Sequence, residues 1–297
     1  MSETRSDSGF AAGRGARNER RRQIAAFLSN RQAMIGLALV LLFCLSALLA
    51  PLIAPYDPNA MDIPARLSAP GWQHLAGTDQ LGRDTLSRIL YGGRIALLIA
   101  TVGVTISLVL GLMLGMMAAF GPRWLDQLLL LLFDAIRSFP TIILGLAMVA
   151  LTGPSLALVM AIVILTSIPQ YARVTRTAAL ALRGTDFVMA ERSLGASTLR
   201  IMLHHILPNI MGPLLILAAM DVPAVVALEA GLSFLGLGVR PPLASWGTLL
   251  NDGYLVIRDS PWMVLMAGLP LVLTTLGFTF FAEGLRDAFD PRMNKAR

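Results

Sequence analysis

Apolar residues gather into six long stretches along this chain, residues 33–54, 95–120, 125–151, 156–171, 211–235 and 263–281, with more polar connections between them. A helix of about 20 residues, rising about 1.5 Å per residue, crosses a hydrocarbon layer of roughly 30 Å, so the stretches have the length of membrane spans. Each unpaired backbone group in lipid costs several kcal/mol, which restricts spanning segments to helices and closed barrels, and the alternating pattern of barrel strands is absent. The pattern predicts an all-α polytopic membrane protein with six transmembrane helices. Gly111, Gly115, Pro140, Pro213, Pro223 and Pro270 fall inside the stretches, where neighbouring helices satisfy the backbone groups they free. One connection stands apart. Residues 186–209, DFVMAERSLGASTLRIMLHHILPN, are polar, carry Gly195 at their centre and lie between the fourth and fifth stretches.

Composition supports the membrane reading: 56% of the 297 residues are hydrophobic and 14% charged, against roughly 25% charged in soluble domains. Positive residues near span ends stay in the cytoplasm. Arg5, Arg14, Arg17, Arg20, Arg21, Arg22 and Arg31 precede or open the first stretch. Arg123 lies between the second and third, Arg173, Arg176, Arg183, Arg192 and Arg200 surround Gly195, and Arg286, Arg292, Lys295 and Arg297 end the chain. Only Arg66, Arg83, Arg88, Arg94, Arg240 and Arg258 fall on the opposite side. Both termini and the Gly195 loop are therefore expected in the cytoplasm, and the net charge of +6 needs no nucleic acid to explain it. The first stretch is longer than a signal-peptide core and leads into Pro51 and Pro55, so it reads as a retained span. The expected organisation is a disordered basic amino terminus (1–32), a first span with an external loop (33–94), a five-helix domain (95–285) containing the loop of about 173–210, and a cytoplasmic tail (286–297). Cys44 is the lone cysteine, which excludes an intrachain disulfide and leaves it a packing role.

Several chemistries are excluded. A phosphate-binding loop needs a lysine that reaches the phosphates, and the only lysine is Lys295, near the end of the chain. His74, His204 and His205 are the only histidines, without metal-ligand spacing, and no nucleophile elbow is present. No catalytic residues and no metal ligands are assigned, and the chain is read as a non-enzyme.

The Gly195 loop carries the functional argument. Thr185 or Asp186 is placed to cap a short helix through Arg192, Gly195 to end it in the left-handed conformation, and Ser197 to cap a second helix running to Pro208. Phe187, Met189, Ala190 and Leu194 give the first helix apolar surface, and at about nine residues it is too short to be stable unless it packs against something. Such a helix fits a groove on a partner. A DNA-reading helix-turn-helix is disfavoured because the loop lies at a bilayer surface and offers few basic base-reading side chains.

At these residues the chain resembles the ATP-binding-cassette (ABC) importer permeases. Their cytoplasmic loop reads Glu-Ala-Ala, three residues, Gly, then about a dozen residues to Leu-Pro. Ala190, Gly195, Ala196, Ser197, Leu199, Arg200, His205, Ile206, Leu207, Pro208 and Asn209 match the oligopeptide/dipeptide/nickel branch, C-type subunit. The same branch is matched by APYDPNA (54–60), GTDQLGRDTLSRILYGGR (77–94), SFP (138–140), LSFLGLGVRPP (232–242), SWG (245–247) and GLRDAFDPR (284–292). The resemblance implies a type I ABC importer permease fold in the bacterial inner membrane. It also implies a second homologous permease, one or two ABC ATPase subunits that use ATP and Mg, and an extracytoplasmic substrate-binding protein. This chain would bind no cofactor of its own, and its loop (Phe187, Met189, Ala190, Glu191, Gly195, Ala196, Ser197, Leu207, Pro208) would couple to the ATPase. Peptides are the expected cargo, with nickel, opine, glutathione or oligosaccharide as alternatives. An ion-coupled secondary transporter and a non-transporting scaffold are the rival classes.

The family's leading acid falls at Met189 and its second alanine is replaced by Glu191, so the carboxylate is displaced by two residues, about 200° around a helix. The favoured expectation is an adapted partner groove; the other is a local pair with a neighbouring arginine. Four charges lie within predicted spans: Asp134, Arg137, Asp221 and Glu229. Such residues face a bundle interior, a cavity or one another. Asp134 and Arg137 have the i, i+3 spacing of a local ion pair, and Asp221 and Glu229, two turns apart, are expected to share one wall of a path and attract a cationic group. Trp72, Trp246 and Trp262 on the external side, and Trp124 on the other, are read as interface anchors. The external loop with Asp79, Arg83, Asp84 and Arg88 is read as either a contact for a binding protein or a folded plug.

Overall fold

A computed structural model describes residues 22–289. The helices are α1 (22–29), α2 (Arg31–Leu48), α3 (Ala50–Ile53), α4 (Thr85–Phe120), α5 (Arg123–Ser138), α6 (Thr141–Thr152), α7 (Leu156–Arg183), α8 (Asp186–Ser193), α9 (Thr198–Ile201), α10 (Leu207–Phe234), α11 (Trp246–Leu255) and α12 (Pro261–Phe289). Among the described residues the only β pairing is an isolated bridge between Thr78 and Asp84. Of the amino-terminal stretch expected to lack order, residues 1–21 lie outside the described residues and 22–29 form α1. Residues 290–297 of the tail also lie outside them.

Five helices are long and apolar enough to cross a membrane, and the bent pair α5–α6 supplies a sixth span. The third stretch, predicted as one helix over 125–151, is thus broken, with a bend of 87°. The cause is Pro140: its ring forces the preceding residue out of the helical region, and Phe139 accordingly has φ −91° and ψ 129°. The fourth span continues past Tyr171 to Arg183, because its polar last turns find partners on α5 and α4. The second begins at Thr85, ten residues before the apolar stretch, where the Asp84 carboxylate caps it by accepting from the Ser87 amide at 2.7 Å.

The core lies among α4, α7 and α10, where Ile99, Val159, Ile162, Tyr171, Leu214 and Val226 are fully or almost fully buried. α4 and α7 approach closely at Gly111, where a Cβ would sit 2.4 Å from Tyr171 Cβ and 3.0 Å from the Ala172 amide nitrogen. In lipid, where hydrophobic expulsion no longer drives helices together, such small-residue contacts hold a bundle. Gly111→Val is expected to destabilise the bundle by about 1–3 kcal/mol through overpacking. A lowered melting temperature in detergent checks this, with Gly212→Ala as the unchanged control, since no atom lies within 4 Å of that added methyl.

The connection between α3 and α4 is folded onto α4 and α11. Asp79 accepts from the Arg83 Nε–H at 2.6 Å and from the Leu81 and Arg83 amides at 2.8 and 3.0 Å, and its carboxylate lies 3.5 Å from Arg88 Nε. Asp252 of α11 approaches Arg83 and Arg88 at 4.0 and 3.8 Å. Burial holds the Asp252 carboxyl above the ordinary carboxylate range, with Arg88 and Arg83 pulling it down. Trp246, expected at an interface, is instead buried: its Nε1–H donates to the Ile89 carbonyl at 3.0 Å and its ring packs on Gly92, Gly93 and Phe43. The backbone acceptor and the two glycines of α4 make an indole-sized slot that the local sequence around Trp246 does not reveal. Trp72 and Trp124 are exposed.

Candidate coupling loop and intramembrane cavity

α8 ends as its sequence implies. Gly195 takes φ +86°, its amide donates to the Arg192 carbonyl and the Ala196 amide to the Glu191 carbonyl, both at 3.0 Å. This pair of bonds is the glycine-terminated Schellman closure of a helix. Thr185 occupies the N-cap position with extended backbone, although its hydroxyl donates back to Leu182, and Ser197 caps α9 by accepting from the Arg200 amide at 3.4 Å.

The second half of the loop departs from expectation. It does not stop at Pro208. A π-helical turn, Met202–Ile206, carries α9 into α10, so that Thr198–Phe234 is one helix of 37 residues. Pro208 sits in the first turn of α10, where a missing N–H is tolerated, and the wider turn before it relieves the clash of its ring with the preceding carbonyls.

The loop is anchored by Val188, Ile201 and Ile206, all fully buried in the main core cluster. Phe187, Met189, Ala190, Leu194 and Leu199 are exposed, as is Ser197, while Ala196 and Leu207 are half-buried. Leu194 is 84% exposed, a large apolar side chain with almost no contact in its own chain. Glu191, three residues after the buried Val188, turns inward and lies 3.7 Å from His205 Nε2. The local pair is therefore with a histidine rather than an arginine. The 200° displacement of the carboxylate moves it off the outward face and onto the side that meets the π-helical turn.

Two of the four intramembrane charges, Asp134 and Asp221, are partnered across helices. Asp134 is bonded to Arg173 of α7, not to Arg137. About two helix turns before Asp134 on α5, Asp126 accepts a two-pronged pair of bonds from Arg176 at 2.5 and 2.7 Å, and Arg183 donates to the Ala119 carbonyl at 2.8 Å. Asp126 and Asp134, eight residues apart on α5, facing Arg173 and Arg176, three apart on α7, are a complementary stripe. That spacing is visible in the sequence only when charges at span ends are compared between helices.

Arg137 and Asp221 line a common cavity of about 230 Å³ with Thr141, Thr166, Ser167 and Gln170, walled by Phe139, Val225 and Leu228. The Tyr171 hydroxyl, from a ring with no exposed surface, donates to Asp221 at 3.0 Å. Glu229 is not in this cavity. It is 0% exposed and accepts from the Ser233 hydroxyl at 2.7 Å. Eight residues separate Asp221 from Glu229, about 12 Å along a helix and about 80° around it, enough to remove them from one wall. Among the described residues no group of three or more His, Cys, Asp or Glu side chains is placed to hold a metal ion.

The chain is thus a helical bundle with a broken span beside a polar cavity and, at one end, a short anchored helix that displays apolar side chains. Residues 111–295 match the family described as binding-protein-dependent transport system inner membrane component, and residues 21–70 match the N-terminal TM domain of oligopeptide transport permease C. The chain is 38% identical to the dipeptide transport system permease protein of Alkalihalophilus pseudofirmus, over 89% of this chain and 87% of the relative. It is 39% identical to the di/tripeptide transport system permease protein of Pseudomonas aeruginosa, over 91% of each. Among solved structures, an inward-facing MetNI methionine ABC transporter chain superposes with a TM-score of 0.54 at 20% identity, covering 69% of this chain and 98% of that one, a likeness of fold alone. The chain belongs to the binding-protein-dependent inner membrane components. It is a multi-pass inner-membrane permease subunit of an ABC importer, and the family operates with ATPase and substrate-binding partners.

Proposed function

We propose that this chain is one of two non-identical permease subunits of an importer for di- and oligopeptides, and that its Gly195 loop couples to an ATPase subunit in the cytoplasm, on the same side as both termini. The observation that carries the reading is the unbroken helix Thr198–Phe234, which joins the anchored loop to Asp221 in the cavity. Movement of α8 by a closing ATPase is delivered along this rod to the cavity wall, because packed elements shift between discrete arrangements. ATP and Mg act in the partner subunits, one or two in kind. Asp221 and Arg137 belong to the translocation path, whereas Asp134 holds α5 to α7 and Glu229 serves packing. Peptide cargo is supported by the names of the relatives; nickel, opine, glutathione and oligosaccharide are the competing cargoes.

Reconstitution with the second permease, the ATPases and the binding protein is expected to give ATP-dependent uptake of labelled dipeptides that persists when ionophores collapse ion gradients. Uptake driven by a gradient without ATP would make the chain a secondary transporter. Partner binding without flux would make it a scaffold.

A further inference from the structure

The cavity at the broken span holds two opposite charges that do not meet. Among the described residues, Arg137 has no carboxylate within the 4.0 Å of an ion pair, and Asp221 is bonded by the Tyr171 hydroxyl instead. A charge of either sign is costly at membrane depth unless it is paired or solvated. Arg137 is 14 residues from the start of α5 and Asp221 is 14 from the start of α10, so each lies about 21 Å along its helix. Arg137 is exposed at the rim and Asp221 is half-buried. The 87° break places the last turn of α5 and the first of α6 beside them, while Thr141, Thr166, Ser167 and Gln170 add neutral donors and acceptors. Val225, Leu228 and Phe139 supply apolar wall.

We infer that this cavity receives the two charged ends of a small zwitterionic peptide, the ammonium at Asp221 and the carboxylate at Arg137. The inference rests on the importer reading given above and names the substrate chemistry of that site. A guanidinium presents a planar fork of donors that matches a carboxylate in two places, and a carboxylate is an acceptor for an ammonium. A metal cation would be repelled by Arg137 and would find one carboxylate rather than a ligand set; a plain anion would be repelled by Asp221. A molecule with both charges offsets the desolvation of both residues at once, and its side chains meet the apolar wall. Weak binding at two points suits a path that must also release its cargo.

The test uses the assembled importer with Cys44→Ser and Ala224→Cys, since Ala224 lines the cavity and is exposed. Labelling of position 224 by a small thiol reagent, read by mass spectrometry, is expected to slow about tenfold at a dialanine concentration about ten times its dissociation constant. The same peptide N-acetylated and C-amidated is expected to give no protection. Asp221→Asn and Arg137→Gln should each abolish the protection; Arg137 is exposed, so its variant keeps the fold even if the loss of the Tyr171 bond perturbs the other. Equal protection by free and blocked peptides, or full protection in both variants, overturns the inference. Selective protection without ATP-driven uptake removes the importer reading and leaves the site. Uptake with no selective protection removes the site and leaves the importer reading.

Discussion

Replacing Phe187 and Leu194 with aspartate is expected to reduce ATP-driven uptake by about a hundredfold or more, with the protein still inserted and folded. Both side chains are exposed, Phe187 at 43% and Leu194 at 84%, so Leu194 has almost no surface covered by its own chain. The folding contacts of the loop are those of Val188, Ile201 and Ile206, which the substitutions leave in place. Apolar anchors at the centre of an interface each contribute about 2 kcal/mol or more, and two carboxylates forced into a partner's apolar groove add a desolvation cost. Uptake, ATPase stimulation and co-purification of the ATPase are measured together. Loss of all three with an unchanged melting temperature is the expected pattern; uptake within about twofold of the parent would show that the ATPase does not grip this face.

The second large effect is on stability. Asp79→Ala is expected to cost about 3–5 kcal/mol, the usual penalty for removing one partner of a buried ionic cluster. Asp79 is 1% exposed and Arg88 3%, so both arginines lose their nearest counter-charge in a site that water scarcely reaches. What remains is Asp252, 4.0 and 3.8 Å from the two guanidinium groups. Asp79→Asn keeps an oxygen for the Leu81 and Arg83 amides and should lose less. In detergent the expected fall in melting temperature is about 10 °C for alanine, at about 2–4 °C per kcal/mol for a chain of this size. Asp79→Ala melting with the parent would mean that the arginines are solvated and that the folded connection rests on other contacts.

Much of the loop was legible because its signals are local. Gly195 ends α8 in the left-handed region and Ser197 caps α9, since each depends on the chemistry of one residue and the amides a few positions away. The continuation of α9 into α10 was not legible. A proline reads as a stop, and only the register change at Met202–Ile206 makes it a first-turn residue. The charged residues divide in the same way. Their presence within spans marks them as special, but their partners lie 39 and 50 residues away in the chain, Asp134 with Arg173 and Asp126 with Arg176. The i, i+3 spacing of Asp134 and Arg137 lost to those inter-helix pairs, and Arg137 was left to the cavity.

Hydrophobic runs by themselves determined that this chain is a helical membrane protein with six spans, because backbone groups in lipid have no other way to be satisfied. The motifs of the Gly195 loop, read beside the rest of the chain, placed it among the importer permeases. Tertiary structure alone decided which charges neutralise one another, that the third span bends by 87° at Pro140, that Trp246 belongs to the core, and that Arg137 and Asp221 face one space while Glu229 does not. Those outcomes depend on how helices distant in sequence rotate and approach, and a rotation of about 100° per residue turns a small error in register into a different neighbour.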